Sequence, residues 1–586
     1  MMLEPFYVYD HNNVYQWHRT ILQTALALER EELVDWCFGY GPYGPDKLPE
    51  HRNIRRILDT HFKPDGAYWE LCSGYHLYPM YHLCELAVLS RNISRMDPER
   101  FPPERYDCTR PDSPGGKVIG AALHWFMSMA MPDRTVTVIG DSTVPRAGMD
   151  AYAATAEIGY RYFGIDEVGD YERLRQGYRS WPALLYGAPE IVQKPTPFTS
   201  SYLSSGWISL RNEWEGNKVW VGLNALEKGG GHQHADRLTL TTYSHGQLLA
   251  LEKATPYNES VTRVLGTCSQ AHNTVTVDKT SSKQGEALTE EETPQVTFFY
   301  AGPVVQFAQL DAPNLYPQTT VYRRSVALVE DVVLDLFEVE GGDTHDWMVN
   351  HAGPAPTLSL EMAPGNFEPK DWLYNGTDQV RHTTTGEAWE AQWEVADITS
   401  RLTMLGAEAT NIYALETYPI DNAVITPDNP PCQTLCVRRT DPAPFVAVWD
   451  AWREEPNVQA IQHGVCETAQ GILVKTRENV YFTLFGASKA QFEGSVTMES
   501  DGAFALVSSR DTAVLVHGTR LSVQTPNGHL EVHATIPTTV AVTQGADGPA
   551  ATCSADIHHD THNGVDHPRA APPAEIQLSG EIAGLF

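Results

Sequence analysis

The stretch GGGHQHADRLTL, residues 229–240, carries the densest chemistry in the chain. Three glycines lead into two histidines spaced i and i+2, then an Asp-Arg pair and an alternating apolar run. If 232–240 is extended, the two-residue period of a strand puts His232, His234 and Asp236 on one side. Two imidazoles on one face can act as metal ligands, or as one ligand and one acid/base group. The bland reading of a bare His-x-His is a solvent-facing polar strip. Two later features weigh against it. Glu252 closes the next apolar run, QLLALE (247–252), where a buried carboxylate needs a partner. His272 opens a further strand in AHNTVTVD (271–278). His234, Glu252 and His272 then supply two imidazoles and one carboxylate, a donor set suited to zinc.

Outward from this stretch the pattern divides the chain. Val219–Leu223, Leu238–Tyr243, Asn273–Asp278, Thr319–Leu328, Val332–Glu338, Phe445–Trp449 and Val480–Phe485 are β-branched or aromatic runs bounded by Gly, Asn, Asp or Pro. They predict an antiparallel β-sandwich over 193–470 and a second β-rich unit with a tail over 471–586. The segment 545–574, small, polar and Pro-rich, is expected to be a loop or tail. Residues 1–192 have the three-and-four spacing of helices, with stretches at Ile54–Phe62, Tyr68–Ser90, Lys117–Met129, Arg146–Phe163 and Glu167–Tyr186. Gly/Pro-rich turns separate them, so helix packs on helix, as a bundle or a toroid of hairpins. The fold class is α+β and multidomain.

The 586 residues hold 42 Lys+Arg and 74 Asp+Glu, a net charge of −32. That argues against a general nucleic-acid binder, which needs a basic surface. Residues 1–190 carry 19 basic and 26 acidic side chains, a net of −7, against −25 for the rest. The helical segment is therefore where a local basic surface for an acidic ligand is expected. No apolar run reaches the ~18 residues of a membrane span. Nine cysteines in no tight pattern read as reduced core residues. The opening MMLEPFYVYDHNN has no basic-then-apolar leader. The expectation is a cytoplasmic chain as written, or a secreted or periplasmic one if the natural N-terminus lies upstream.

Two stretches of the helical segment stand out. DGAYWELCSGYHLYPMYHL (65–83) clusters Tyr75, His76, Tyr78 and His82 on a forming helix. DHNNVYQWHRT (10–20) places Asn12, Asn13, His18 and Arg19 at the entry to the first helix. Taken singly, the first reads as core aromatics and the second as a helix cap. Asp141, in IGDS, also reads as a helix cap.

In this order, helical motifs followed by GHQHADRLTL and AHNTVTVD, the chain resembles the heparinase II/III-like polysaccharide lyases, in a compact form. LDLFEVEGGDTHDWMVNHAG (334–353) is similar to a strand-and-hairpin element of that family. The resemblance implies an incomplete α/α toroid packed on an antiparallel β-sandwich. It implies β-elimination on 4-linked uronic-acid polymers: glycosaminoglycans such as hyaluronan, chondroitin sulfate and heparan sulfate, or alginate. It assigns Asn13 to neutralising the uronate carboxylate, with Asn12 and His18 as alternates. Val14 follows Asn13 where the family usually has His. It makes Tyr75 the general acid and often also the base, with Tyr78 as alternate, and His232 the second base or a substrate contact. Arg19, His76, Tyr78 and Arg237 become substrate contacts, as do, more weakly, Lys253 and Arg211. A structural divalent metal, zinc by donor type, would sit on His234, Glu252 and His272, with Glu252 where relatives carry Asp. The implied partner is an acidic polysaccharide, with no nucleic acid, no membrane and room for a homo-oligomer. Two other readings remain. A hydrolase of uronic oligosaccharides would pair Glu70 with Asp65 or Asp141. A polysaccharide-binding protein would keep the fold without the chemistry.

Overall fold

The computed structural model describes residues 12–142, 146–148, 153–167, 181–192, 198–255, 264–369, 379–420, 431–440, 442–545, 548–554, 574–582 and 585. Helices come first: α1 (Val14–Ala27), α2 (Glu31–Phe38), α3 (Ile54–Thr60), α4 (Ser73–Met96), α5 (Pro103–Tyr106), α6 (Pro114–Met129), α7 (Ala153–Phe163) and α8 (Trp181–Tyr186). From Ser201 onward nearly every element is a strand. The expected helix at Arg146–Phe163 starts only at Ala153, because Arg146–Gly148 pairs with Thr135–Thr137 as a short hairpin. Most of the expected Glu167–Tyr186 helix lies outside the described residues; its last turn and a half is α8.

α4 is the central helix, in contact with α1, α5, α6 and α7. It buries Leu77, Met80, Leu83, Cys84, Leu86 and Ala87 along its length. Pro79 lies inside it, so the Tyr75 carbonyl has no i+4 N–H to accept from. α2 ends on Gly39 at φ +68, the left-handed conformation that releases a chain from a helix.

Among the described residues, the strand pairs of the β region are antiparallel. A five-stranded sheet runs in sequence order from Ser201 to Leu248. An eight-stranded and a six-stranded sheet follow. One apolar cluster takes Ile208 and Val221 from the first, Leu402 and Trp449 from the second, and Val275, Trp347 and Leu435 from the third. Buried Arg324 pairs with Asp335 at 2.6 Å and donates to the Leu238 and Asn273 carbonyls, tying the loop after the His-x-His stretch to its neighbours. The C-terminal ten-stranded sheet includes Val458–Cys466, so that unit begins ahead of residue 471. Gly548–Ser554 forms a strand of it, correcting part of the expected loop; 555–573 lie outside the described residues.

The two halves are stitched by polar contacts. The Arg211 guanidinium donates to the Ser128 and Ala130 carbonyls at the end of α6, at 2.6 and 3.0 Å. Trp125 Nε1 donates to Ser205 Oγ at 2.9 Å, and Ser205 N–H to Asp65 at 2.8 Å. Among the described residues no helix is long and apolar enough to cross a membrane.

Candidate active site

The glycine-led stretch is not a strand. Residues 232–239 form turns and loop, and the strand begins at Leu240. The expected alternation of His232, His234 and Asp236 therefore does not apply. What brings the two histidines together is a neighbouring loop. The backbone N–H of Asp141 donates to the His232 carbonyl at 2.9 Å. Gly140, at φ +64, makes this approach: a Cβ there would lie 2.2 Å from the His232 oxygen. Asp141 then places one carboxylate oxygen 2.9 Å from His232 Nδ1 and the other 3.0 Å from His234 Nε2. Its side chain bridges two imidazoles, correcting the helix-cap reading.

The same loop anchors α4. Ser73 N–H donates to Ile139 O and its hydroxyl accepts from Ile139 N–H, both at 3.2 Å. Cys72 Sγ donates to the Asp141 carbonyl at 3.3 Å. The first turn of α4 is thus clamped beside His232, and the Tyr75 ring stacks on the His232 ring, centroids 3.5 Å apart and 14° from parallel. Both side chains are half-buried.

Three residues further along α4, Tyr78 falls on the same face. Its hydroxyl donates to Asn13 Oδ1 at 2.9 Å and to Gln16 Oε1 at 3.1 Å. Asn13 stands at the N-cap of α1, yet its side chain makes no capping bond. It reaches across to α4 instead. Asn12 and Asn13 are both half-buried. Arg19, one turn further into α1, is tied to Glu85 at 2.5 Å.

Other candidates turn inward. His18 is buried, with Nε2 2.6 Å from the Arg52 carbonyl and its ring against Trp36 and His51. Burial pushes its pKa down to about 4, so it is no cationic neutraliser near neutrality. His76 is fully buried on Trp125; Nδ1 accepts from Tyr68 N–H and Nε2 lies 2.9 Å from the Ala122 carbonyl. Arg237, 1% exposed, is spent on Asp236 and the Glu227 carbonyl. Lys253 donates to Thr417 and Thr434 from a buried position. These four, with Arg211, hold the fold rather than a substrate.

Glu70 is the residue the lyase reading passed over. It is 5% exposed, with one carboxylate oxygen 4.0 Å from His232 Nε2 and the other buried without a hydrogen-bond partner among the described residues. Burial raises its pKa to about 7, the nearby His232 opposing. The carboxylates of Glu70 and Asp141 both face His232.

Of the implied metal set, Glu252 and His272 touch through Oε2 and Nδ1, and Thr239 Oγ1 donates to Glu252 Oε1 at 2.5 Å. The His234 ring lies 5.4 Å from that of His272. His234 Nδ1 and His272 Nε2 are buried without a hydrogen-bond partner. Two such nitrogens beside a carboxylate fit a metal in donor type. The side chains are not drawn together: among the described residues no group of three or more His, Cys, Asp or Glu is gathered to hold an ion.

Residues 194–403 match the family described as Heparinase II/III-like, C-terminal. This segment resembles a heparinase II/III-like C-terminal domain. It contains His232, His234, Glu252 and His272, whereas Tyr75, Asn13, Glu70 and Asp141 precede it. Solved structures of similar fold include a heparinase III with methylated lysines, at 16% identity and a TM-score of 0.57 over 81% of this chain and 65% of that one. Another is the heparan sulfate lyase HepC from Pedobacter heparinus, at 13% identity and 0.58 over 82% and 67%. A further heparinase III matches at 13% and 0.55 over 81% and 67%. The chain thus spans about two thirds of the length of these proteins, and the likeness is one of fold. No curated protein gives a significant sequence match to the chain.

Proposed function

We propose that this protein is a polysaccharide lyase, cleaving 4-linked uronic-acid polymers of the glycosaminoglycan type by β-elimination. The carrying observation is the stack of Tyr75 on His232, with Asp141 behind the imidazole. A carboxylate on Nδ1 favours the tautomer with its proton there, leaving the Nε2 lone pair as the basic one. In the proposed reaction His232 Nε2 takes the C5 proton. The C5–H electrons form the C4=C5 double bond, the C4–O4 bond breaks, and the Tyr75 phenol gives its proton to O4. Tyr75 also serves as the base where the substrate's C5 proton faces the helical side.

Removing that proton requires the uronate carboxylate to accept negative charge. Asn13 suits this task. Its Oδ1 accepts from Tyr78, which holds the amide at the contact of α1 with α4, and an amide NH₂ is a donor of the kind a carboxylate accepts from. Tyr78 is then a positioning residue. Glu70, neutral over part of the physiological range, adds no full negative charge beside His232 there.

The proposal includes a structural divalent ion on His234, Glu252 and His272, supported by the two unpartnered nitrogens. Its chemistry would be to cross-link the loop at 232–239 to the segments behind it. Asp141 on the far nitrogen of His234 stands where an outer carboxylate orients a metal-bound imidazole. The elimination uses protein groups alone.

The hydrolase reading needs two carboxylates facing across a bond. Glu70 and Asp141 instead approach opposite nitrogens of one imidazole, and Asp65 is engaged by the Ala67 and Ser205 N–H groups. The test is ultraviolet absorbance of the unsaturated product on hyaluronan, chondroitin sulfates, heparan sulfate, heparin and alginate. A rise that Tyr75→Phe abolishes is expected on a glycosaminoglycan. A rise on alginate alone moves the substrate class, and none on any polymer, with the protein folded, overturns the reading.

A further inference from the structure

A cavity of about 540 Å³ lies between the end of α2 and its following loop, α3 and the first turn of α6. Its floor is apolar, with Phe38, Leu48, Ile54, Leu58 and Val118. Arg55, Arg56, Arg105 and Lys117 also line it, against the single carboxylate of Asp59, which leaves a local excess of three positive charges. In a chain of net charge −32 this is a reversal of sign.

These cations are uncommitted. Arg19, Arg100 and Arg110 of the same helical region are tied to Glu85, Asp35 and Asp112. Among the described residues Arg55, Arg56, Arg105 and Lys117 form no ion pair; Arg56 donates to the Pro49 carbonyl. Two of them are nonetheless oriented. Arg55 and Arg105 stand 4.7 and 4.9 Å from the centroid of one ring, Tyr40. Guanidinium forks placed in this way suit carboxylate and sulfate groups.

At its Cys108 end the cavity is remote from Tyr75. Cys108 lines it and donates its N–H to Ser90 Oγ. Ser90 is fifteen residues beyond Tyr75 on α4, about 22 Å of helix.

We infer that this cavity is a second binding site for an anionic saccharide, its pyranose resting on the aliphatic floor and its carboxylate or sulfate groups meeting Arg55, Arg105 and Lys117. The choice of an acidic saccharide rests on the proposed lyase reading; the anionic character rests on the cavity itself. The open floor is mainly aliphatic and two guanidiniums crowd Tyr40, so a planar base finds no clear stacking face. A site here would hold a polymer segment away from the reacting bond and offset the repulsion of the acidic surface.

The test is calorimetric titration of the full chain carrying Tyr75→Phe, which prevents turnover, with a heparan sulfate octasaccharide. On this background Arg55→Gln with Arg105→Gln is expected to lose one binding site, or to weaken it at least tenfold. Asp59→Asn is expected to tighten it about threefold and to steepen the salt dependence, which damage to the fold would not do. An uncharged chitin oligosaccharide should not occupy the site. Unchanged site number and affinity in the double variant overturn the inference. So does inorganic sulfate binding there as tightly as the octasaccharide. Turnover of the unaltered chain is read separately, so a protein that cleaves nothing but loses a site in the double variant fails the lyase reading and not this one.

Discussion

Replacing Asp141 by Asn tests the centre of the reasoning. The side chain is 4% exposed and accepts from His232 at 2.9 Å and His234 at 3.0 Å. An amide of the same shape offers one acceptor oxygen and one NH₂ donor. It can keep one ring as it was, but the other must turn its tautomer to receive a donor. One charge-assisted hydrogen bond is lost, about 1.5–3 kcal/mol. If His234 yields, the cost is one of stability. If His232 yields, its proton moves to Nε2 and the base is gone, removing a contribution on the order of 10²–10⁴ in rate. The His234 side chain is 1% exposed and that of His232 24%, so His232 is the ring with room to give way, and kcat/KM should fall by about 10²-fold, carried by kcat, because substrate contacts are untouched. Initial rates of ultraviolet-absorbing product on the responsive polymer, from pH 5 to 9, measure it. A variant within threefold of the parent across that range would refute Asp141 as the group that orients His232.

Gly140→Ala should disable the site from a distance. A residue with a Cβ at φ +64 costs about 1–2 kcal/mol, and the added carbon meets the His232 carbonyl at 2.2 Å. Activity and apparent unfolding temperature should fall together, and parent-like values for both would remove the close approach from the argument. Glu70→Gln should change the pH dependence of stability. With its folded pKa raised to about 7, the parent carboxyl favours the fold below the unfolded pKa and loses that contribution as pH rises to about 7. The loss is at most about 3 kcal/mol, and Gln should abolish it; identical pH slopes for parent and variant in denaturant unfolding would count against the burial argument. Chelation should lower the unfolding temperature, and elemental analysis should find one zinc per chain, absent in His272→Ala. A metal-free preparation indifferent to chelator would retire the ion.

Much of the architecture is legible in local pattern. The expected strands at 219–223, 332–338 and 480–485 lie within or match Asn217–Asn224, Val332–Glu340 and Val480–Phe485, because short β-branched and aromatic runs mark strands buried on both faces. α6 begins three residues before its expected start, at a Ser113 cap and Pro114. His232–Thr239 misled for a related reason: its polar alternation imitates a strand, while the loop at 139–141 supplies the partner a ladder would have.

Side-chain type alone did not reveal environment. Arg237, His76 and His18 look like substrate contacts in a string of letters, and each is buried on backbone carbonyls or a carboxylate of its own fold. Asp141 carried a faint signal, a Gly-Asp step ending the β-branched run TVTVIG. Nothing local says that the step reaches a loop ninety residues on. The sequence by itself determined the order of helices before strands, most of the elements and the side-chain types from which candidates for proton transfer are drawn, since periodicity and chemical type are properties of neighbours along the chain. Only the tertiary structure decided that Tyr75 meets His232, that Asp141 and Glu70 approach opposite sides of that imidazole, and which cations stay uncommitted. Those facts depend on long-range packing, where the missing Cβ of Gly140 sets how closely two loops can approach.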